Sequence, residues 1–248
     1  MMRFLRNWTL PFLNPRQLGS LAFLPRFLLE FGRYRRMARG ERVRWADSFP
    51  CLSDQLPQTP FDPHYFYQGA WLARRLAGIP PRHHVDVGSS VLMVSVLSAR
   101  VPMTFVDYRP LRAELPGLRS VSGSLAALPF ADASIESLSC LHVIEHVGLG
   151  RYGDELNPHG SRLAAAELAR VLGRSGKLYL SVPVGRERVC FNAHRVFAPE
   201  TIVSMFAGCQ LAAFSLVDDE GNFLENAPLA AASSLSYGCG MVEFDKHA

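Results

Sequence analysis

From residue 84 onward short apolar stretches alternate with helical patterns, and this alternation restricts the fold more than any other feature of the chain. "HVDVG" (84–88) is an apolar strand carrying an acid, and "VLMVSVLSA" (91–99) follows as an apolar helix. "PMTFVD" (102–107) is a second strand ending in an acid, and "SIESLSCLHV" (134–143) a third. "SRLAAAELARVLG" (161–173) has helical periodicity and good helix formers, and "GKLYLSVP" (176–183) is a strand stopped by proline. "PETIVSMFAG" (199–208) places Pro199 in a first helical turn and Gly208 at its end. "LAAFSLVDD" (211–219) and "SLSYGCGMVEF" (234–244) read as closing strands, while "HYFYQGAWLARRLAG" (64–78) is a helix in a preamble spanning 45–83. Such a pattern predicts an α/β fold, a mostly parallel sheet with helices on both faces and ligands at the carboxyl ends of its strands.

The charge is unevenly placed. Residues 1–44 hold ten arginines against Glu30 and Glu41, a local +8, so the remainder of a chain of net +4 carries −4. We therefore divide the chain into a basic arm, 1–44, and one domain, 45–248. Phe23, Leu24, Phe27, Leu28 and Phe31 recur at helical spacing among the arginines, which suits a helix lying on an anionic membrane surface. Pro11, Pro15 and Pro25 break the segment and equally suit an arm packed on its own domain or on a second subunit. No basic-aromatic nucleic-acid module is recognisable. The five cysteines (51, 140, 190, 209 and 239) are scattered and form no CxxC pair, which argues against disulfides or a cysteine-held zinc and fits a reducing cytoplasm. No apolar run is long enough to span a bilayer, so the expected location is cytoplasmic, with peripheral contact at the inner face of the membrane open through the arm.

An acid two residues before a glycine after the first strand (Asp86, Gly88) and a second acid ending the next (Asp107) suit a ligand with ribose hydroxyls. A dinucleotide pyrophosphate needs several glycines for close backbone approach, and Gly88-Ser89-Ser90 offers one. S-adenosylmethionine (SAM) carries no phosphate and tolerates that turn. On this reading Asp86 organises the turn and, with Gly88, Ser89 and Ser90, the amino-acid end, with helical N–H groups near Ser90 facing its carboxylate. Asp107 accepts the ribose hydroxyls, and His142 joins the cofactor contacts.

The run "GSLAALPFADASIESLSCLHVIEHV…AAAELARVLGRSGKLYLSVP" resembles class I SAM-dependent methyltransferases in the order and spacing of its parts. More narrowly, "FDPHYFYQGAW", "VDVGSS", "SLSCLHVIEHVGLGRYGD", "VPVGRERVCFNAHRVF" and "YGCGMVEFDK" resemble DUF268, a group of methyltransferase-like proteins without an assigned reaction. The resemblance implies a Rossmann-like, seven-stranded, mostly parallel sheet and SAM as cofactor. Where the family loop carries an acid for the adenine amino group, this chain has Ser124, followed by Leu125 to pack on the ring. Two function classes follow: methyl transfer to oxygen or nitrogen of a small or glycan-like acceptor, or a non-catalytic ligand-binding or assembly subunit.

Two clusters carry the candidate chemistry. His142-Val143-Ile144-Glu145-His146 spells H-x-x-E-H, a zinc-protease spacing, but that site needs a helix to bring both histidines to one face. Here the motif leaves a strand end, so no metal is expected. Glu145 and His146 either tie down the following turn or serve catalysis, His146 as general base. In "FNAHRVF" (191–197), His194 is a second candidate base, and Asn192 and Arg195 are candidate acceptor contacts with Arg151 or Arg186. The bland alternative pairs Arg195 with Glu187 or Asp154. Tyr152 lies on a glycine-flanked segment able to close over the site. His64, Tyr65 and Tyr67 are candidates to roof the pocket or to join the core.

Overall fold

A computed structural model describes residues 15–109 and 111–246. Arg3, Arg6 and Pro11 of the basic arm lie outside the described residues. The chain divides into two compact units, the first ending at Phe61 and the second beginning at Asp62. In the first, a 3-10 helix (Pro15–Phe23) leads into α1 (Leu24–Met37), which has no buried residue. Phe31 packs edge-on against Trp45 with ring centroids 5.0 Å apart.

The second unit opens with α2 (Pro63–Gly78). Asp62 caps it, its carboxylate accepting the amides of His64 and Tyr65, and Gln68, Trp71, Leu72 and Leu76 form its buried stripe. There follow β1 (His84–Val87), α3 (Val91–Leu97), β2 (Met103–Asp107), β3 (Leu118–Ser122) and β4 (Ile135–Leu141). Beyond these come α4 (Gly160–Val171), β5 (Leu172–Val184), β6 (Arg188–Cys190) and β7 (His194–Val196). The chain closes with α5 (Pro199–Met205), β8 (Gln210–Val217), β9 (Phe223–Leu224) and β10 (Gly238–Asp245).

The main sheet runs β3-β2-β1-β4-β5-β10-β8-β9, and β6 pairs only with β7. The five strands β3 to β5 are parallel, whereas β10 is antiparallel to both β5 and β8. This is the Rossmann-like class I methyltransferase fold, with eight strands where seven were expected. The pattern 118–122 escaped notice as a strand because β3 lies at the sheet edge with no buried residue, so its alternation is weak.

Period-two alternation sorts the strand residues between the two faces. Leu178, Leu180, Val182, Val242 and Phe244 pack with Leu168, Val171 and Ile202 on the face of α4 and α5. Tyr179, Cys239 and Met241 pack with Trp71, Leu72 and Leu76 of α2 on the other. Because β1 lies between β2 and β4, the chain reverses its winding there, and the crevice opens at their carboxyl ends. Among the described residues, no helix is long and apolar enough to cross a membrane.

Candidate active site

A cavity of about 590 Å³ occupies that crevice. Of the expected residues, Gly88, Asp107, Ser124, Leu125, His142, His146 and Tyr152 line it. Tyr108, Arg109, Asp154 and Asn157 also line it, and sequence reasoning missed them. The first two directly follow the strand-end acid, which was the available signal.

Gly88 has φ +70°, and a Cβ there would lie 2.9 Å from Val143 Cγ1, so this turn requires glycine. Asp86 organises the turn as expected but does not reach the ligand's side: it is fully buried and outside the cavity lining. Its Oδ1 accepts the Ser89 amide (3.1 Å), and its Oδ2 accepts the Ser139 hydroxyl (2.5 Å). The chain continues to His84, whose Nε2 meets Ser139 Oγ at 2.8 Å and whose Nδ1 meets Ser137 Oγ at 2.7 Å. Burial raises the Asp86 carboxyl to about 6 against the opposing hydrogen bonds, and burial lowers His84 to about 3. Ser89 is likewise structural, its hydroxyl oxygen accepting the Leu141 amide at 3.0 Å. Ser90 stands at the N-cap position of α3, makes no side-chain capping bond and does not line the cavity. Asp86 and Ser89 therefore shape the turn from below, and Gly88 lines the cavity.

Asp107 ends β2 at the cavity wall, its Oδ1 accepting the Arg109 amide at 2.7 Å. Across the cavity, Ser124 Oγ accepts the Ala126 amide at 3.1 Å and so holds its own loop.

The H-x-x-E-H histidines diverge. His142 has φ +55°, strained for a side-chain-bearing residue, and its Nδ1 donates to Glu145 Oε1 at 2.8 Å. Its Nε2 meets Cys239 Sγ at 3.3 Å. Burial opposes charging this ring, but Cys239 and Glu145 outweigh it and raise its pKa to about 10. Glu145 is fully buried and outside the cavity lining, so its expected catalytic place becomes one of orienting His142. His146 lies in the 3-10 turn Ile144–His146 and turns the other way, its Nδ1 lying 2.6 Å from the Ala193 carbonyl oxygen. A carbonyl only accepts, so Nδ1 carries the proton and Nε2 the lone pair of the neutral ring. Burial also lowers the His146 pKa, favouring that neutral form.

The second cluster sits elsewhere than expected. Arg195 is buried and outside the lining, donating to the Val147 carbonyl (2.7 Å) and Ser161 Oγ (3.0 Å). It staples the turn after β4 to the start of α4 and is not free for an acceptor. Glu187 does not pair with it, accepting Thr201 Oγ1 at 2.5 Å instead. Asn192 and His194 belong to the β6–β7 hairpin and do not line the cavity; His194 packs against Tyr237. Arg151 is also outside the lining, donating to the Ala193 carbonyl at 2.9 Å. Its guanidinium lies 5.1 Å from the Tyr152 ring centre, and that of Arg109 lies 4.9 Å from it. Tyr152 thus closes one side of the cavity between two cations. Asp154 fixes this segment by accepting the amides of Gly148 (2.7 Å) and Tyr152 (3.2 Å). His64 and Tyr65 both stack on His142, whereas Tyr67 stacks on Phe223.

A family model described as Caenorhabditis protein of unknown function, DUF268, matches residues 130–236, a narrower span than the sequence resemblance suggested. No curated protein matches the chain. Among solved structures, the fold is similar to the N-methyltransferase NodS from Bradyrhizobium japonicum in complex with S-adenosyl-L-homocysteine. That match has TM-score 0.52 and 12% identity, covering 87% of this chain and 97% of that one. The [4+2]-cyclase SpnF matches with TM-score 0.54 and 12% identity over 73% of this chain and 80% of its own. The YcgJ protein from Bacillus subtilis matches with TM-score 0.52 and 14% identity over 74% and 99%. A methyltransferase and a cyclase thus share this architecture, so the reaction has to be argued from the site.

Proposed function

We propose that the chain is a SAM-dependent methyltransferase acting on an oxygen or nitrogen of a small or glycan-like acceptor. One observation carries the reading: a single cavity joins the Gly88 turn and the Asp107 carboxylate to His146, whose Nδ1 lies 2.6 Å from the Ala193 carbonyl oxygen. The Gly88 turn has no room for a Cβ, which suits close approach by a ligand, and Asp107 is an acceptor at the position where ribose hydroxyls are held in nucleotide-binding sheets. When bound, SAM supplies an electrophilic methyl on a sulfonium. The protein's part is to align the acceptor lone pair with it and, for a hydroxyl, to take the proton at His146 Nε2. Alignment supplies much of the acceleration, and a positioned base adds about 10²–10⁴-fold.

Calorimetry with SAM tests the seat. Asp107→Ala should weaken binding by about 1.5–3 kcal/mol, the range for hydrogen bonds to a charged group. Unchanged affinity would remove the assignment. His146→Ala should lower kcat at least about tenfold with SAM affinity within about twofold. Wild-type turnover in that variant would leave alignment as the whole mechanism. The second reading, a non-catalytic binder, draws on Ser124, whose hydroxyl oxygen is engaged by its own loop rather than left for a ligand. SAM binding without methyl transfer to any acceptor in an extract-wide screen would favour it.

A further inference from the structure

His64 at the start of α2, His142 after β4 and Cys239 on β10 carry no step of the methyl transfer, yet they meet at one place. One potential ligand atom from each lies within 4.8 Å of the other two. Zinc bonds of about 2.0–2.1 Å to nitrogen and 2.3 Å to sulfur in tetrahedral array space the ligand atoms about 3.3–3.7 Å apart. The 3.3 Å between His142 Nε2 and Cys239 Sγ already has that spacing.

Three further features point to a cation. A metal-bound histidine characteristically donates its other ring nitrogen to a carboxylate or a backbone carbonyl, which fixes ring and tautomer. His142 Nδ1 does this to Glu145 at 2.8 Å. Second, Glu145 is fully buried and its Oε2 has no hydrogen-bond partner. Among the described residues its ion-pair contacts are His142 and His146, with no arginine or lysine. Positive charge on the His142 ring, whether a bound proton or a cation held at Nε2, offsets the cost of burying this carboxylate. Third, the backbone holds the thiol in place. A Cβ at Gly238 would lie 2.7 Å from the Val217 carbonyl oxygen, and one at Gly240 would lie 2.6 Å from Val184 Cγ1. The strand is therefore pressed against its neighbours on both sides of Cys239.

We propose that His64, His142 and Cys239 form a zinc site with three protein ligands and one open position, at the edge of the cavity that His142 lines. Two imidazoles and a thiolate suit this borderline-soft ion, and three protein ligands with an open fourth place are the pattern of reactive rather than structural zinc. Binding forms one bond to sulfur and two to nitrogen, and releases to solvent the protons those atoms carried. The fourth position then holds water or a donor atom of an acceptor, whose acidity the ion raises. The proposal departs from the expectation of no metal, and it does not depend on the methyl-transfer reading.

The full chain, expressed without a metal-binding tag, is assayed for zinc by mass spectrometry, stripped with chelator and titrated with cobalt(II). About one equivalent of zinc is expected, and a sulfur-to-cobalt charge-transfer absorption. Cys239→Ser should lose the band, and His142→Ala should lose at least about 100-fold in affinity. Glu145→Gln should weaken binding about 10–100-fold. His146→Ala should keep both the metal and the band. Metal lost in His146→Ala would overturn the trio in favour of the H-x-x-E-H spacing. Substoichiometric zinc together with no charge-transfer band in wild type overturns it outright, even where a ligand variant fails to fold.

Discussion

Asp86 shows at the scale of one residue how half of a role can be legible: it organises the turn by accepting the Ser89 amide, but it lies outside the cavity lining. An acid before the glycine turn was visible in the sequence, but its burial was not. Its pKa is raised to about 6 from 3.8 in the folded chain, so folding favours the protonated form. The associated stability is present in full below the unfolded value and is lost as pH rises through about 6. At about 1.4 kcal/mol per unit, the loss is about 3 kcal/mol. Asp86→Asn should therefore gain on wild type in urea denaturation as pH rises from about 4 to about 7, and a constant difference would contradict the burial argument. Arg195 fails in the opposite direction. Its basic charge suggested an acidic acceptor, while its partners are mainly backbone carbonyls of residues 145–158, which leave no mark in side-chain chemistry. Asp107, Gly88 and His146 were legible because strand ends and strand-following turns place side chains at the crevice whatever the rest of the chain does.

At the scale of elements, the segment from Gly148 to Gly160 decides the shape of the cavity wall. Gly148 has φ +80°, and a Cβ on it would come within 2.1 Å of the Asn157 carbonyl oxygen. Gly160, at the start of α4, has the same intolerance toward the Val147 carbonyl. Gly148→Ala should therefore cost more than about 2 kcal/mol, since a left-handed alanine is strained and the two backbones must part. Chemical denaturation should register this together with weakened SAM binding, because Tyr152 and Asp154 ride on the same segment. Stability within about 0.5 kcal/mol of wild type would mean that the loop absorbs the methyl group. The long strands and α4 were legible from period two and period 3.6. The hairpin β6–β7 was not: it is three residues a side, too short to show a period, and its pairing rather than its pattern defines it.

At the scale of the whole molecule, charge and architecture are separate matters. Residues 1–44 carry +8 on a chain of net +4, and α1 presents Leu28, Leu29, Tyr34 and Met37 exposed beside its arginines. Reading the arm as a membrane-surface element predicts that the full chain sediments with anionic vesicles and is released by salt, while a chain starting at residue 45 is not retained. Equal retention of both would refute it. By itself, the sequence determined the α/β class, the polarity of the crevice and, in Asp107 and Gly88, one acid and the glycine that line it. Hydrophobic periodicity and turn chemistry are local, and the parallel winding of alternating strands and helices leaves few topologies. Only the tertiary structure decided which polar groups share a site. Cys239 meets His142 because β10 inserts antiparallel between β5 and β8, and His64 faces them because α2 packs on the same side of the sheet. Those three residues stand 78 and 97 positions apart in the chain. No local spacing records their meeting, because strand order and sheet face are fixed by burial across the whole core.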